Sequence, residues 1–169
     1  MAVTFNRRRA ADTDVGHLVR LFNGCQAAGV YAPTVGPWDD AHARRVLVTN
    51  PHTVLFLEDG VPVAFVALPN LSAAKSIDKA LDLSMGCFAW DQSRDAAAQA
   101  SLRVRCGANA IRLIQAAGFT SVRAAHRLDA GCVPTDAQAE HEAEHASDDV
   151  VHARYPLASI LARYAAKGG

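Results

Sequence analysis

The sequence has 169 residues, half of them hydrophobic and 20% charged, with Lys+Arg and Asp+Glu equal at 17 each. That length suffices for one domain with a real core. The charge balance excludes a global basic field for nucleic acid and an acidic solvating tail, and no apolar run approaches the ~20 residues of a membrane span.

The amino-terminal MAVTFNRRRAADTD carries three arginines with no apolar stretch behind them, so it does not read as a secretory signal. Cys25, Cys87, Cys106 and Cys132 are scattered and form no C-x-x-C pair, which argues against a zinc ribbon or redox dithiol. The expected location is cytoplasmic, with all four thiols reduced. Richness in Ala, Arg and Val points to a GC-rich bacterial or phage gene.

Residues 2–9 predict a short strand. Asp12 or Asp14 then suits the N-cap of a helix, because a carboxylate accepts the free N–H groups of a first turn. Val15, Leu18, Val19, Phe22 and Cys25 follow helical spacing and give that helix one buried face, with Gly29 ending it. A Gly/Pro loop containing Tyr31 leads to a second helix near 38–48, started by Asp39 and stopped by Asn50-Pro51. HTVLFLEDGVPVAFVAL reads as strand, tight Asp59-Gly60 turn, strand.

Residues 70–80 are polar, a loop or short helix, and LDLSMGCFAW at 81–90 alternates as another strand. A polar, Ala-rich stretch then passes into a helical pattern through Leu102, Cys106, Ala110, Leu113, Ile114 and Ala117. Gly118-Phe119 ends it, and TSVRAAHRL reads as a strand. Residues 135–149 are polar and predict a solvent-facing helix or mobile insertion; DVVHARYPL is a last strand and LASILARYAAKGG a terminal helix or tail. The whole is expected to be one α/β domain over 1–169, a mixed, mostly antiparallel sheet flanked by helices.

His141-Glu142-Ala143-Glu144-His145 matches H-E-x-x-H, in which two histidines on one helix face hold zinc and the Glu activates water. Its polar flanks read more simply as a solvated Ala/Glu/His helix. His152 is the available third ligand, and it sits on a predicted strand. No metal is expected, and a zinc hydrolase remains a minor alternative.

Three segments carry a resemblance. Arg8-Arg9-Ala10-Ala11-Asp12-Thr13-Asp14 resembles the R-x-A-x-x-x-D start of the GNAT N-acetyltransferase superfamily. NPHTVLFLEDGVPVAFVAL is similar to its second and third strands, and ANAIRLIQAAGFTSVRA to its amphipathic helix ending in Gly-Phe. The resemblance implies transfer of an acyl group from acetyl-CoA to an amine of a small molecule or protein, with a homodimer as one option. It also implies that strand-four backbone at Gly86, Cys87, Phe88, Ala89 and Trp90 holds pantetheine as an added strand would.

In the family a Q/R-x-x-G-x-G/A turn at a helix N-terminus binds the pyrophosphate. Here three registers compete. Arg94-Asp95-Ala96-Ala97-Ala98-Gln99 lacks both glycines, and Arg103-Val104-Arg105-Cys106-Gly107-Ala108 has Cys in the first glycine's place. In the third, LRVRCGANAIRLIQAAGF is a strand and helix in which Ile114 replaces a frequent Tyr acid. The first two name Arg94, Arg103, Gly107 and Ala108 as cofactor contacts, and the need for a crossover helix favours them. The implied bases and acids are Asp82, Glu58, His126 and Tyr155, and Tyr31 is the implied substrate contact, each weighed against an ordinary structural role. The other functional reading is a GNAT-like binding or assembly module that has lost its cofactor site.

Overall fold

A computed structural model describes residues 3–31, 34–72, 77, 79–83, 86–127, 140–142 and 150–167; for 125–127, 140–142 and 150–152 it describes the backbone. The chain divides into two compact units, one of Met1–Asn70 with Gly86–Cys106 and one of Leu71–Met85 with Gly107–Gly169. Among the described residues no helix is long and apolar enough to cross a membrane.

The first unit is built on an antiparallel sheet of β1 (Phe5–Arg9), β2 (Val54–Glu58), β3 (Val61–Ala67) and β5 (Cys87–Trp90), in that spatial order. Asp59 and Gly60 take φ of 48° and 81°, the two left-handed positions that let a two-residue turn follow the twist of its strands. Helix α1 (Val15–Ala27) buries Val15, Leu18, Phe22 and Cys25 as expected, with Leu21 buried in place of the half-buried Val19. Gly29, at φ 76°, follows its end. Helix α2 (Asp40–Thr49) starts as expected, with the Asp39 carboxylate accepting the His42 N–H at 2.7 Å.

Between these helices the chain is tied down by rings. Phe22 stacks on Trp38 at 4.0 Å and on Tyr31 at 4.7 Å. Asn23 clamps the Trp38 backbone from both sides, accepting its N–H at 2.7 Å and donating to its C=O at 3.0 Å.

The R-x-A-x-x-x-D segment has a physical explanation. The Arg8 guanidinium makes a two-pronged bond to the Asp14 carboxylate, 2.7 Å to each oxygen, and that carboxylate also accepts the Ala11 N–H at 2.9 Å. Asp14 therefore closes a short 3-10 turn (Asp12–Asp14) and does not cap α1 with its side chain, contrary to the sequence expectation. Its side chain is only 4% exposed, so no N–H of α1 competes for an acid already saturated by Arg8.

In the second unit β4 (Ala80–Asp82) runs parallel to β6 (Ser121–Arg127), which pairs antiparallel with β8 (Val150–Pro156), and β7 (Glu140–Glu142) lies on the far side of β8. The single strand expected over 81–90 is thus two strands that serve different sheets. Helix α4 (Leu157–Ala166) follows β8 at once; the Leu157 N–H donates to the Thr120 carbonyl at 3.0 Å. The two units divide within helix α3 (Ala96–Ala116), between Cys106 and Gly107. Residues 102–106 are therefore helical, which removes the register that made them a strand. Within 135–149, expected to be a polar helix or a mobile insertion, Glu140–Glu142 is a strand whose pairing with β8 supplies its backbone partners; residues 135–139 and 143–149 lie outside the described residues.

Two stability tests follow from this packing. Replacing Asp14 by Asn should cost about 1–3 kcal/mol at neutral pH, since a buried guanidinium-bound acceptor is weakened. The hydrogen-bonded Arg8 holds the Asp14 carboxyl below its ordinary 3.8, so its contribution is full above that value and fades as pH falls through the folded value. Urea midpoints of wild type and D14N should accordingly converge on acidification. A β-carbon at residue 107 would lie 2.7 Å from Cζ of Tyr164, closer than real contacts allow. Gly107→Ala should therefore push the Tyr164 ring aside, and since Ala gains about 1 kcal/mol over Gly inside a helix, the net change in the same assay should stay within about 1 kcal/mol.

Candidate functional site

β5 is an edge strand of its sheet, and its backbone alternates. The Asp91 N–H reaches back to the Val63 carbonyl of β3 at 2.8 Å, so the groups of Phe88 and Trp90 point the other way. These outward N–H and C=O pairs are the groups expected to hold pantetheine. Each is occupied by a side chain. The Tyr31 hydroxyl accepts the Phe88 N–H at 3.2 Å and donates to the Phe88 C=O. The Cys25 thiol donates to the Trp90 C=O at 3.3 Å and accepts the Trp90 N–H at 3.4 Å. Gln92 adds a third bond to the same sulfur, Nε2 to Sγ at 3.2 Å.

Burial raises the Tyr31 phenol and the Cys25 thiol above their ordinary values, so both keep the protons they donate. Tyr31 is thus at the site named for it, bound to the strand itself. Cys25 was legible only as a core residue, because its spacing on α1 is that of any inward-facing side chain.

Helix α3 begins directly after the Arg94-Asp95 pair, within the first of the three segments weighed above. The Asp95 carboxylate accepts the Ala98 N–H at 2.8 Å. A negative charge thereby sits where an anion would be bound, on a first-turn amide. Gln99 folds back over this start, donating to the Arg94 carbonyl at 2.8 Å and accepting the Trp90 indole N–H at 2.9 Å. The arginines are committed too. Glu58, 11% exposed, holds Arg94 at 2.7 Å through one oxygen and Arg105 at 2.6 Å through the other. Arg103 lies over the Trp90 ring at 4.7 Å. Glu58 is thus the hub of an ion-pair cluster, with one guanidinium on each oxygen.

The remaining residues scatter. Gly86 precedes β5, Ala89 is fully buried, and Cys87 is a protonated thiol pushed up to about 12 by burial. Cys106 is likewise raised to about 12 by burial, so neither serves as a thiolate nucleophile at neutral pH. Gly107 and Ala108 lie inside α3, where amides bond along the helix, and this corrects their assignment as phosphate contacts. Asp82 is exposed at the end of β4. Tyr155 lies on β8 opposite Val122. His126 is on β6, and its side chain lies outside the described residues, as do those of His141, Glu142 and His152. The backbone of 140–142 is a strand, and in a strand residues four apart share a face but stand roughly 13 Å from each other, too far to hold one metal as the helical zinc reading requires; His145 lies outside the described residues.

No family model matches the sequence, and no curated protein matches it. Solved structures do. The PaiA N-acetyltransferase of Thermoplasma acidophilum in complex with coenzyme A is 10% identical with a TM-score of 0.62, over 90% of this chain and 99% of that one. A spermidine N-acetyltransferase chimera, SpeG from Vibrio cholerae with hSSAT, is 10% identical with a TM-score of 0.62, over 93% and 98%. A GNAT-family acetyltransferase from Streptococcus pneumoniae is 13% identical with a TM-score of 0.57, over 89% and 97%. At such identities the likeness is one of architecture, and the architecture of this chain is the GNAT N-acetyltransferase fold.

Proposed function

We propose that this chain, residues 1–169 acting as one functional domain, transfers an acyl group from acetyl-CoA to an amine. The observation that carries the reading is the outward edge of β5. Among the described residues its Phe88 and Trp90 outward backbone groups pair with no strand of their sheet, as an amide-bearing chain such as pantetheine requires. The Tyr31 hydroxyl is a placeholder there. An incoming amide replaces its two hydrogen bonds one for one, so the exchange costs little beyond the ~0.5–1.5 kcal/mol scale of each bond. The fold likeness to a spermidine N-acetyltransferase supports an amine acceptor.

Acetyl-CoA supplies the activated thioester. The chain supplies position and proton transfer. β5 backbone orients the donor, and the first amides of α3, Ala96 and Ala97, stand at an exposed helix start. We assign the amine's proton to a carboxylate, directly or through water, with Asp82 the candidate that the resemblance implies.

A second reading is favoured by Asp95 and Glu58. One sets a carboxylate on the α3 start, and the other withholds Arg94 and Arg105 from any phosphate. It makes the chain a GNAT-fold binding or assembly module without acyl transfer.

Saturating acetyl-CoA should raise Tm by roughly 5–10 °C, the scale set by ligand near a hundred times Kd for a chain of this size. Tyr31→Phe keeps the ring on Phe22, removes the placeholder bonds and should tighten binding about fivefold. No shift in either protein at millimolar acetyl-CoA, with a shift appearing only in Asp95→Asn, would decide for the second reading. In steady-state assays with an amine acceptor, Asp82→Asn should lower kcat about a hundredfold while leaving the acetyl-CoA KM in place.

A further inference from the structure

The second unit contains a cavity of about 290 Å³ with no part in the reading above. Five elements converge on it. Val122 and Ala124 stand on one face of β6, two residues apart, and Tyr155 of β8 lies opposite Val122. Ile111 comes from α3, Leu83 from the end of β4, and Ile160 from α4. The wall they make is aliphatic apart from the Tyr155 ring, and the space opens to solvent. It is near the lower end of small-molecule sites, roughly 300–1,000 Å³.

Arg163 of α4 and Lys167, just past its end, lie four residues apart and both line the cavity, together with Tyr164. Among the described lining residues these two are the charged ones. α4 is held in place around this space by a built contact, since Tyr164 packs so closely on Gly107 of α3 that no β-carbon fits between them. An aliphatic pocket with two cations at its mouth matches one ligand chemistry: a compact apolar body ending in an anion.

We infer that this cavity binds a small organic carboxylate, with its hydrocarbon part against Ile111, Val122, Ala124 and Ile160 and its carboxylate at Arg163 and Lys167. Water is displaced from the aliphatic wall, and the carboxylate exchanges hydration for charge-assisted bonds. The site is independent of the acyl donor, so acetyl-CoA binding and this binding succeed or fail separately.

The probe is phenylacetate, titrated into the full chain with methyl NMR as readout, beside its neutral isostere phenylacetamide. Saturable shifts of the Ala124 and Ile160 methyls are expected, with Kd on the order of 0.1–1 mM for a ligand of about ten heavy atoms. Lys167→Gln, at an exposed position, should weaken phenylacetate roughly three- to tenfold and leave phenylacetamide unchanged. Ala124→Leu fills the space without touching a charge and should abolish both. Should Ala124→Leu fail to fold, the Lys167→Gln selectivity and the wild-type shift map carry the test alone. Unmoved methyls at millimolar phenylacetate, equal affinity for acid and amide, or undiminished binding to a folded Ala124→Leu protein would each overturn the assignment.

Discussion

An edge strand in a sheet presents a row of backbone donors and acceptors that must find partners. In this protein the constraint falls on β5, and much of the first unit is arranged to meet it. The partners are a phenol and a thiol, one on the loop after α1 and one on α1 itself. For the thiol to reach Trp90, α1 must lie with Cys25 inward, where the residue is fully buried. For the phenol to reach Phe88, the loop must carry Tyr31 onto Phe22, and the stack of Tyr31, Phe22 and Trp38 with the Asn23 clamp does this.

The same logic of internal pairing governs the charged groups. Arg8 is spent on Asp14, Arg94 and Arg105 on Glu58, and the start of α3 on Asp95. An arginine two-pronged on a buried carboxylate is an architectural group, because breaking the pair leaves a desolvated charge behind. The arginines that a sequence reader would hand to a phosphate are therefore held in competition with the protein's own acids. The fold's capacity for an anionic ligand depends on the cost of dissolving those pairs, which is greater for Glu58, 11% exposed, than for a surface acid.

Much of the architecture was legible in the residues. The Asp59-Gly60 turn was readable because a two-residue hairpin demands left-handed backbone, and few residue pairs supply it. The inward stripe of α1 and the Asp39 cap of α2 were readable because periodicity and capping act within a few residues along the chain. The R-x-A-x-x-x-D motif likewise contains both partners of its ion pair, six residues apart. The split of 81–90 into two strands was not readable. The choice of partner, β6 for Ala80–Asp82 and β3 for Cys87–Trp90, is made by pairing with strands far along the chain.

What the sequence determined by itself was thus the local grammar: turns, caps, helix faces and the order of elements, all set by interactions of short range. Only the tertiary structure decided the chemistry available at the site. Tyr31 meets Phe88 across 57 positions, Cys25 meets Trp90 across 65, and Arg105 meets Glu58 across 47. Spacing along the chain carries no trace of such pairings, because a side chain's partner at that range is chosen by the packing of whole elements. Whether an arginine is free for a ligand or held by an acid, and whether a strand edge is open or capped, is settled there.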